Sequence, residues 1–436
     1  MRNKVIYNVK NTDLLLNQFV SLTKKYKYSC LLNSNPSSKD QPRNYNNFSF
    51  ILALDKIDLI QSNHNSFNKL KEFHLTKKDW MFGYLSYNLK NESSNLYSKN
   101  INNISNHNLS FFIPKYVFIV KGNNLTIEGF DSKENISNFY ENIIAIELNN
   151  PQEVKYELIQ RESKDIYLKK INMIKDHIQN GDIYEMNYCQ EFFLENTLCH
   201  PQDVYTKLNS LAESPFSCFL NLENINIMCA SPERFLKKTG KKIISQPIKG
   251  TSRRSQDPKE DKRLFEQLSN SIKDKTENIM IVDLVRNDLS ITANKSSVKV
   301  NELCSVYPFN QVYQMISTIS SEIELTKYSF SDVLKSTFPM GSMTGAPKYS
   351  AMKIIEKFEE FNRGVFSGSV GYIDPAGDFD FNVIIRSIIY DSISKYLSVS
   401  VGGAITNKSI ANEEYDECLT KASLMFNALN FNFDDQ

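Results

Sequence analysis

The sequence predicts an α+β protein in which large antiparallel sheets are flanked by helices. Segments with strand character follow one another in runs, as do the helical ones, and they do not alternate as β-α-β units would. The 436 residues are 41% hydrophobic, which is ample for a core larger than one compact unit usually has. The apolar pattern weakens over 121–162, so we predict an N-terminal lobe over 1–150 and a second domain over 163–430.

In the N-terminal lobe, runs of β-branched and aromatic residues predict short strands separated by polar turns. Between the last two of these strands, residues 88–108 are rich in Asn and Ser, a composition typical of a polar loop. The strands are expected at 28–32, 48–53, 80–87 and 111–120.

The second domain mixes helices with strands. Its first helix is expected at 163–179, where isoleucines recur at helical spacing and Asn180-Gly181 provides a stop signal. Later helices are expected at 258–273, 278–289, 345–361 and 413–429. Strands are expected at 184–193, 216–222, 225–230, 241–248, 298–300, 367–373, 383–390 and 396–401.

Charge, cysteine and histidine content indicate which partners, compartment and catalytic sites the protein can have. The 51 basic and 50 acidic residues give a net charge of +1, so the composition indicates no nucleic-acid partner and no anionic membrane partner. The N-terminus lacks the basic and apolar segments of a signal peptide, and no apolar run is long enough to span a membrane. Seven scattered cysteines suggest buried thiols in a cytoplasmic protein. No histidine follows His200, which excludes a Ser-His-Asp triad or a His-ligated zinc from the C-terminal half.

The segment Pro-Ile-Lys-Gly-Thr at 247–251 places Lys249 at a constrained corner. Proline fixes one backbone angle, and glycine permits angles that other residues avoid. If Lys249 faces inward, partial desolvation is expected to lower its pKa and free a neutral amine as a nucleophile. A surface turn with a solvated lysine is the ordinary explanation of an isolated Lys-Gly pair, so the assignment depends on the residues around it.

Glu233 lies sixteen residues before Lys249 and is joined to it by a predicted hairpin. A glutamate on that strand can face the same cavity as the lysine and act as a general acid toward a leaving hydroxyl. A salt bridge between Glu233 and Arg234 is the alternative explanation of this carboxylate.

Glu277 precedes the predicted helix 278–289. A carboxylate in the first turn of a helix is either a cap stabilised by the helix dipole or a metal ligand. The charged residues Asp283, Arg286 and Asp288 of the same apolar helix are predicted to form a structural ion network, because buried charges must pair.

Glu414, Glu417 and Lys421 fall within an arc of roughly 60° on the predicted C-terminal helix. This arc borders the apolar face of the helix, whereas charges on a solvated face would lie on the opposite side. Two inward carboxylates together with Glu277 suit Mg²⁺, which takes oxygen ligands and keeps waters that a substrate can displace.

Glycine-containing segments at 341–348, 367–372 and 401–405 can present backbone N–H groups to an anion. The first also has the pattern of a helix start, with Thr344 as its cap. Arg386, within a predicted apolar strand, needs an anionic partner, and a substrate carboxylate is a candidate. Together these clusters predict a pocket for a small polycarboxylate.

The motifs together resemble the chorismate-utilising enzymes, which share a single α+β fold. They follow the order of that family across about 163–430, the predicted chorismate-binding catalytic domain, and the N-terminal lobe resembles its aminating members more loosely. The matching stretches are Ser-Pro-Glu-Arg-Phe at 231–235, Pro-Ile-Lys-Gly-Thr at 247–251, Glu-Asn at 277–278, Asp-Leu-Val-Arg-Asn-Asp at 283–288, Gly-Ser-Met-Thr-Gly-Ala-Pro-Lys at 341–348, Gly-Gly at 402–403, and Glu417 with Lys421 and Ala422.

Lys249 implies the branch of the family that makes 4-amino-4-deoxychorismate for 4-aminobenzoate and folate synthesis. Anthranilate-forming members usually carry alanine where Lys249 stands, and a histidine associated with pyruvate loss where this chain has Gln314. Glu185 stands where isochorismate- and salicylate-forming members place a water-activating lysine. An anthranilate-forming enzyme is the alternative, and a non-catalytic ligand-binding paralogue is a further one.

The resemblance also implies roles for the site residues. Lys249 would add to C2 of chorismate while Glu233 assists departure of the C4 hydroxyl, and ammonia would then enter at C4 and expel the lysine. A separate glutamine amidotransferase subunit, or the solution, would supply the ammonia. The Mg²⁺ ligands would be Glu277 and Glu417, with Glu414 close by. The residues expected to bind the substrate are Thr251, Tyr372, Arg386, Gly402, Gly403 and Lys421.

Overall fold

A computed structural model describes residues 2–35, 47–148, 154–309 and 312–433. It confirms the predicted α+β class, because antiparallel strands form an extended sheet system with helices packed around it. The strands are β1 (Asn3–Asn8), β2 (Tyr28–Asn33), β3 (Phe50–Ser62), β4 (Met81–Leu85), β5 (Leu109–Lys121), β6 (Asn124–Gly129), β7 (Ile159–Gln160), β8 (Glu185–Leu194), β9 (Phe216–Leu222), β10 (Ile225–Ser231), β11 (Arg234–Thr239), β12 (Lys242–Gln246), β13 (Ile248–Arg253), β14 (Lys299–Pro308), β15 (Val312–Glu322), β16 (Gly345–Ala346), β17 (Ser369–Ile373), β18 (Phe379–Asn382), β19 (Ser387–Asp391) and β20 (Tyr396–Ile405). The helices are α1 (Thr12–Thr23), α2 (Ser66–Lys77), α3 (Lys90–Ser94), α4 (Lys133–Ile144), α5 (Lys164–Gln179), α6 (Pro201–Ala212), α7 (Pro258–Asn270), α8 (Ile272–Ser290), α9 (Phe330–Thr337), α10 (Lys348–Phe358) and α11 (Ala411–Ala428).

Strands from the two predicted domains pair directly with each other. β2 lies antiparallel to β9, with Tyr28 opposite Leu222, and β4 lies antiparallel to β17, with Gly83 opposite Gly371. The N-terminal strands therefore continue the sheets of the later strands. The division at 150 and 163 stays a prediction.

Most of the core lies in two apolar clusters on opposite faces of the sheet. Alternate residues of β3 divide between them: Leu52 and Leu54 belong to one cluster, and Ile51 and Ala53 to the other. Because successive side chains of a strand point to opposite faces, β3 is apolar on both sides. The first cluster also contains the buried faces of α5 and α11, and the second contains that of α8.

The site region is built on β8, β20 and the two long helices α8 and α11. β20 pairs with β8 from Leu397 opposite Leu194 to Ile405 opposite Met186, and α11 packs on β20. At Gly402 the strands approach so closely that a Cβ atom would lie 2.4 Å from the Tyr188 carbonyl oxygen. Glycine is therefore required for this pairing.

Helix α8 starts earlier than predicted. Its N-cap is Ser271, whose hydroxyl accepts a hydrogen bond from the Asp274 N–H, so the helix extends from Ile272 to Ser290. Glu277 consequently lies inside the helix, and its expected place in the first turn is wrong. A hydroxyl cap at 271 could have been read from the sequence, but the charges at 273–275 hid the apolar period.

The predicted ion network on α8 is wrong in part. Asp283 pairs with Arg286 at 2.7 Å on an exposed face. Asp288, which is buried, pairs at 2.5 Å with Lys348 of α10. The two ion pairs therefore differ in role, since only the second joins two helices.

Two boundaries near the site also differ from the prediction. Thr344 does not cap a helix, since Gly345–Ala346 pairs with β8 and α10 begins after Pro347. Arg386 lies just outside β19 with φ 49°, so the predicted strand 383–390 begins too early. A left-handed backbone angle at a non-glycine residue has no sequence signal as clear as the β-branched residues on either side.

Several helices, including α4, α6 and α9, were not predicted. All seven cysteines are free thiols. Within the part of the chain that the structure describes, no helix is both long and apolar enough to cross a membrane.

Candidate active site

A cavity of about 700 Å³ opens between β13, β20, α8 and α11. This volume lies within the range that binds small molecules. Most of the site residues expected from the sequence meet there. Those lining the cavity are Glu233, Lys249, Thr251, Glu277, Arg386, Gly402, Glu414, Glu417 and Lys421.

Lys249 sits on a bulged strand and not on a free turn. β13 pairs with β15, and its register shifts between Ile248 and Thr251 while Gly250 takes φ +87°. This bulge turns the side chain inward, where its Nζ donates a hydrogen bond to Glu185 Oε1 at 2.9 Å. The lysine is therefore a buried, paired cation, and the solvated surface turn is not observed.

The pKa of Lys249 differs from the sequence-based expectation. Burial, the largest single influence, lowers it, but Glu185, Glu277 and Glu233 together outweigh burial and raise the pKa above its ordinary value. The expected lowering is therefore wrong, because desolvation was considered without the surrounding carboxylates. Any neutral amine at this position requires that the proton be passed to an acceptor.

Glu233 stands in the short link between β10 and β11, and its N–H donates to the Ser231 hydroxyl at 3.2 Å. Its carboxyl is buried, and burial raises the pKa to about 7 against the opposing charge of Lys249. Arg234, the alternative partner, pairs with Asp380 at 2.9 Å. Glu233 therefore has the protonation range of a general acid at neutral pH.

The three expected metal ligands line one side of the cavity. A Cβ atom on Gly403 would lie 3.3 Å from Glu414 Oε2 and 4.0 Å from Glu417 Oε1, so these two carboxylates share the space above β20. Glu277 faces the cavity from α8.

These carboxylates fit a hard cation by donor chemistry. Glu277 Oε1 is buried without a hydrogen-bond partner, and burial raises the pKa of this carboxyl to about 7. In contrast, Lys421 pairs with Glu417 at 2.7 Å and lowers the pKa of that carboxyl. Within the described ranges, no three His, Cys, Asp or Glu side chains converge as a preassembled metal site. The residues could hold Mg²⁺ as a set of oxygen ligands.

The cationic side chains of the cavity are positioned for an anion. Arg386 lines the cavity and forms no ion pair within the described residues, and desolvation lowers its pKa. Lys421 donates to the Gly402 carbonyl oxygen at 3.0 Å in addition to its pair with Glu417. A half-buried guanidinium without an ion pair favours an anionic partner, and a ligand carboxylate can supply one.

Tyr372 does not reach this cavity. On β17 its ring packs against Trp80 and Phe82, and its hydroxyl accepts a hydrogen bond from Asn47 Nδ2 at 3.3 Å. Gly403 lies behind the lining, beside Glu414 and Lys421.

Three residues at or beside the cavity were not among the predicted site residues. Glu185 is the hydrogen-bond partner of Lys249, Gln314 lines the cavity and has a buried Oε1 without a partner, and Lys273 lines the cavity beside Glu414. The resemblance had already placed Glu185 and Gln314 where other branches of the family have catalytic residues. Lys273 also carried a signal, because it stands four residues before Glu277 and so shares its helix face.

Comparison with known proteins places this geometry in context. Aminodeoxychorismate synthase component 1 of Escherichia coli is 38% identical over 267 residues, covering 61% of this chain and 58% of that protein. Anthranilate synthase component 1 of Thermus thermophilus is 34% identical over 268 residues, covering 61% of this chain and 57% of that protein. The matches therefore span little more than half the length of these relatives.

The crystal structure of anthranilate synthase component I from Streptococcus pneumoniae has a TM-score of 0.77 to this chain at 23% identity, covering 89% of this chain and 94% of that one. At this identity the likeness shows a common fold. The family described as chorismate binding enzyme matches residues 30–427, which include every residue that lines the cavity. This chain belongs to the chorismate binding enzyme family.

Proposed function

We propose that the chain is an aminodeoxychorismate synthase component I, which converts chorismate and ammonia to 4-amino-4-deoxychorismate. The observation that carries the proposal is the position of Lys249 in the cavity, facing a Glu233 carboxyl whose pKa is about 7. A nucleophilic amine and a protonated acid in one cavity are what a covalent substitution of a hydroxyl requires. The names of the most similar relatives support the same activity.

The first step begins with loss of a proton from Lys249. Glu185 Oε1, at 2.9 Å, is the nearest acceptor. The neutral amine then bonds to C2 of chorismate, the two ring double bonds shift from C1=C2 and C5=C6 to C1=C6 and C4=C5, and the C4–O bond breaks. Glu233 gives its proton to the departing hydroxyl, which leaves as water.

The second step reverses the electron flow. Ammonia bonds to C4, both double bonds shift back to C5=C6 and C1=C2, and the C2–N bond to Lys249 breaks to return the amine. The deprotonated Glu233 can take the proton that the new ammonium group sheds. No pyruvate is lost, and Gln314 provides no imidazole for that elimination.

The remaining cavity residues orient the substrate. Glu277 and Glu417 would hold Mg²⁺ with Glu414 nearby, and the ion would neutralise the ring carboxylate. Arg386 and Lys421 would bind the enolpyruvyl carboxylate. Thr251 and the backbone of Gly402 and Gly403 would complete its surroundings, whereas Tyr372 lies outside the cavity.

The ammonia source is proposed to be a glutamine amidotransferase subunit, component II. The relatives' names mark them as one component of a larger enzyme. Activity with glutamine should require that subunit, whereas activity with ammonium salts should not.

Anthranilate formation is the second candidate, because the Thermus relative with that name is 34% identical. The two products are distinguished by incubating the chain with chorismate, ammonium and Mg²⁺. We expect 4-aminobenzoate after addition of a coupled lyase, and no anthranilate fluorescence. Anthranilate as the main product would replace the proposal with the second candidate.

A direct test traps the covalent intermediate. With chorismate and no ammonia, mass spectrometry should find an adduct on the peptide that contains Lys249. Lys249→Ala should lose the adduct and most amination, while Lys241→Ala, in the exposed turn between β11 and β12, should retain both. Unchanged turnover in Lys249→Ala would contradict the covalent mechanism.

A further inference from the structure

Lys273 brings a positive charge to the carboxylate side of the cavity. It is the second residue of α8 and lines the cavity one helical turn before Glu277. Its Nζ lies 3.5 Å from Glu414 Oε1. The two partners differ in burial, because the Glu414 side chain is 2% exposed and that of Lys273 is 45% exposed.

The positive charge of Lys273 interacts with the carboxylates of Glu414, Glu277 and Glu417. Burial lowers the pKa of Lys273, but Glu414, Glu277 and Glu417 outweigh burial and raise it. Lys421 forms its ion pair with Glu417, at 2.7 Å. Glu414 therefore has Lys273 as its nearby countercharge, whereas Glu277, which has an unpartnered oxygen, interacts with Lys249 and, more weakly, with Lys273.

We propose that Lys273 is an internal counter-ion that competes with a divalent cation for Glu277, Glu414 and Glu417, and so sets the Mg²⁺ concentration at which the site fills. The inference rests on the proposed function in taking these three residues as metal ligands. An ammonium and Mg²⁺ repel each other, so each weakens binding of the other to the same carboxylates. Mg²⁺ can displace the Lys273 ammonium at little cost in free energy, since the half-exposed side chain allows the ammonium group to move into solvent.

Two effects of removing this charge follow from linkage. Without Lys273, the carboxylates repel one another more strongly, so the fold should be less stable in the absence of divalent ions. The same carboxylates should bind Mg²⁺ more tightly, and added Mg²⁺ should raise the melting temperature by more than in the wild type. A purely structural lysine would lower stability without tightening metal binding.

The test is a titration of the purified chain with Mg²⁺ alone at low ionic strength, followed by calorimetry and by thermal unfolding. Lys273→Gln should bind Mg²⁺ about tenfold more tightly than the wild type. The advantage should shrink as salt screens the interaction. Lys275→Gln is the matched control, because it removes the same charge from the same helix and does not line the cavity. Its dissociation constant should stay within about twofold of the wild-type value.

Glu417→Gln separates failure of the inference from failure of the metal site. If Glu417→Gln weakens Mg²⁺ binding while Lys273→Gln equals the wild type or binds more weakly, the inference is overturned and the metal site stands. If the wild type and Lys273→Gln both fail to bind Mg²⁺, the inference and the metal part of the proposed function both fail. The Lys249 adduct would still test the proposed chemistry independently of the metal.

Discussion

At the scale of single residues, the cavity holds Lys249 in the charged form. Lys249 is surrounded by Glu185, Glu277 and Glu233, which outweigh burial in setting its pKa. These carboxylates compensate the charge of Lys249, so the folded state does not contain an unpaired buried cation at this position. This arrangement also means that Lys249 becomes a neutral amine only when a carboxylate takes its proton.

Replacing Glu185 by Gln should lower the pKa of Lys249, because one of the carboxylates that raise it loses its charge. The neutral amine would then appear at lower pH. Competitive labelling with a small amine-reactive anhydride across a pH series, with peptide mass analysis, measures this midpoint. Glu195→Gln, an exposed change further along the same segment, should leave it in place. An unchanged or higher midpoint in Glu185→Gln would contradict the assignment.

Glu233 should impose a limit on activity at alkaline pH. Its pKa is about 7, so the carboxyl is protonated below that pH and loses its proton as the pH rises through it. A general acid works only while protonated, so turnover should fall above about pH 7. Glu233→Gln should reduce turnover by about 100-fold and remove this limb of the pH profile. A wild-type profile that stays flat from pH 6 to 9 would argue against this role.

At the scale of elements, β20 determines how much space the carboxylates of α11 have beside the cavity. A side chain at Gly402 would collide with the β8 backbone, whereas one at Gly403 would only approach the Glu414 carboxylate. Adjacent glycines of one strand therefore serve different purposes, strand pairing in the first case and space for the carboxylates in the second.

Substitution by alanine should separate these two purposes. Gly402→Ala should lower the free energy of unfolding by about 2 kcal/mol or more, because backbone must move. Gly403→Ala should unfold near the wild-type urea concentration and show altered Mg²⁺ binding. Urea denaturation combined with Mg²⁺ titration distinguishes the two variants. Equal stability of both would contradict the close approach of β20 and β8.

At the scale of the whole molecule, Arg363 ties the site's supporting elements together. Its guanidinium donates to the Met343 carbonyl oxygen at 2.6 Å, to the Asn187 carbonyl oxygen at 2.9 Å and to the Glu359 carboxylate. It also lies 4.8 Å from the ring centre of Tyr87. One buried cation thus connects β8, the end of α10 and the segment before β5.

Arg363→Met should therefore lower the free energy of unfolding by about 3–5 kcal/mol, since Glu359 would be left as an uncompensated buried charge. Chemical denaturation measures the change. Arg286→Met removes an exposed ion pair of α8 and should cost less than about 1 kcal/mol. If both variants lose similar stability, burial does not determine the strength of these pairs.

Much of the site could be predicted from the sequence, because short motifs fix which residue types stand near Lys249. The helical period of α11 predicted that Glu414 faces inward, and Glu414 lines the cavity in the structure. The location of Tyr372 outside the cavity could not be predicted, since the alternation of a strand separates two faces without telling which cavity each face reaches. The raised pKa of Lys249 was also missed, because it depends on carboxylates from β8, α8 and the β10–β11 link that only the fold brings together.

The two-sided burial of β3 has a consequence for how that strand finds its alignment. In a strand with one polar face, a slip by one residue exposes apolar side chains and is penalised. β3 gives no such penalty between Phe50 and Leu54, because either alignment buries hydrophobic groups. The alignment must be fixed elsewhere, and Pro114 of β5 can do this, since it has no N–H to donate. Pro114 lies opposite Lys56, where the register of β3 and β5 shifts. We therefore expect this one proline to determine the pairing register of the thirteen-residue strand β3.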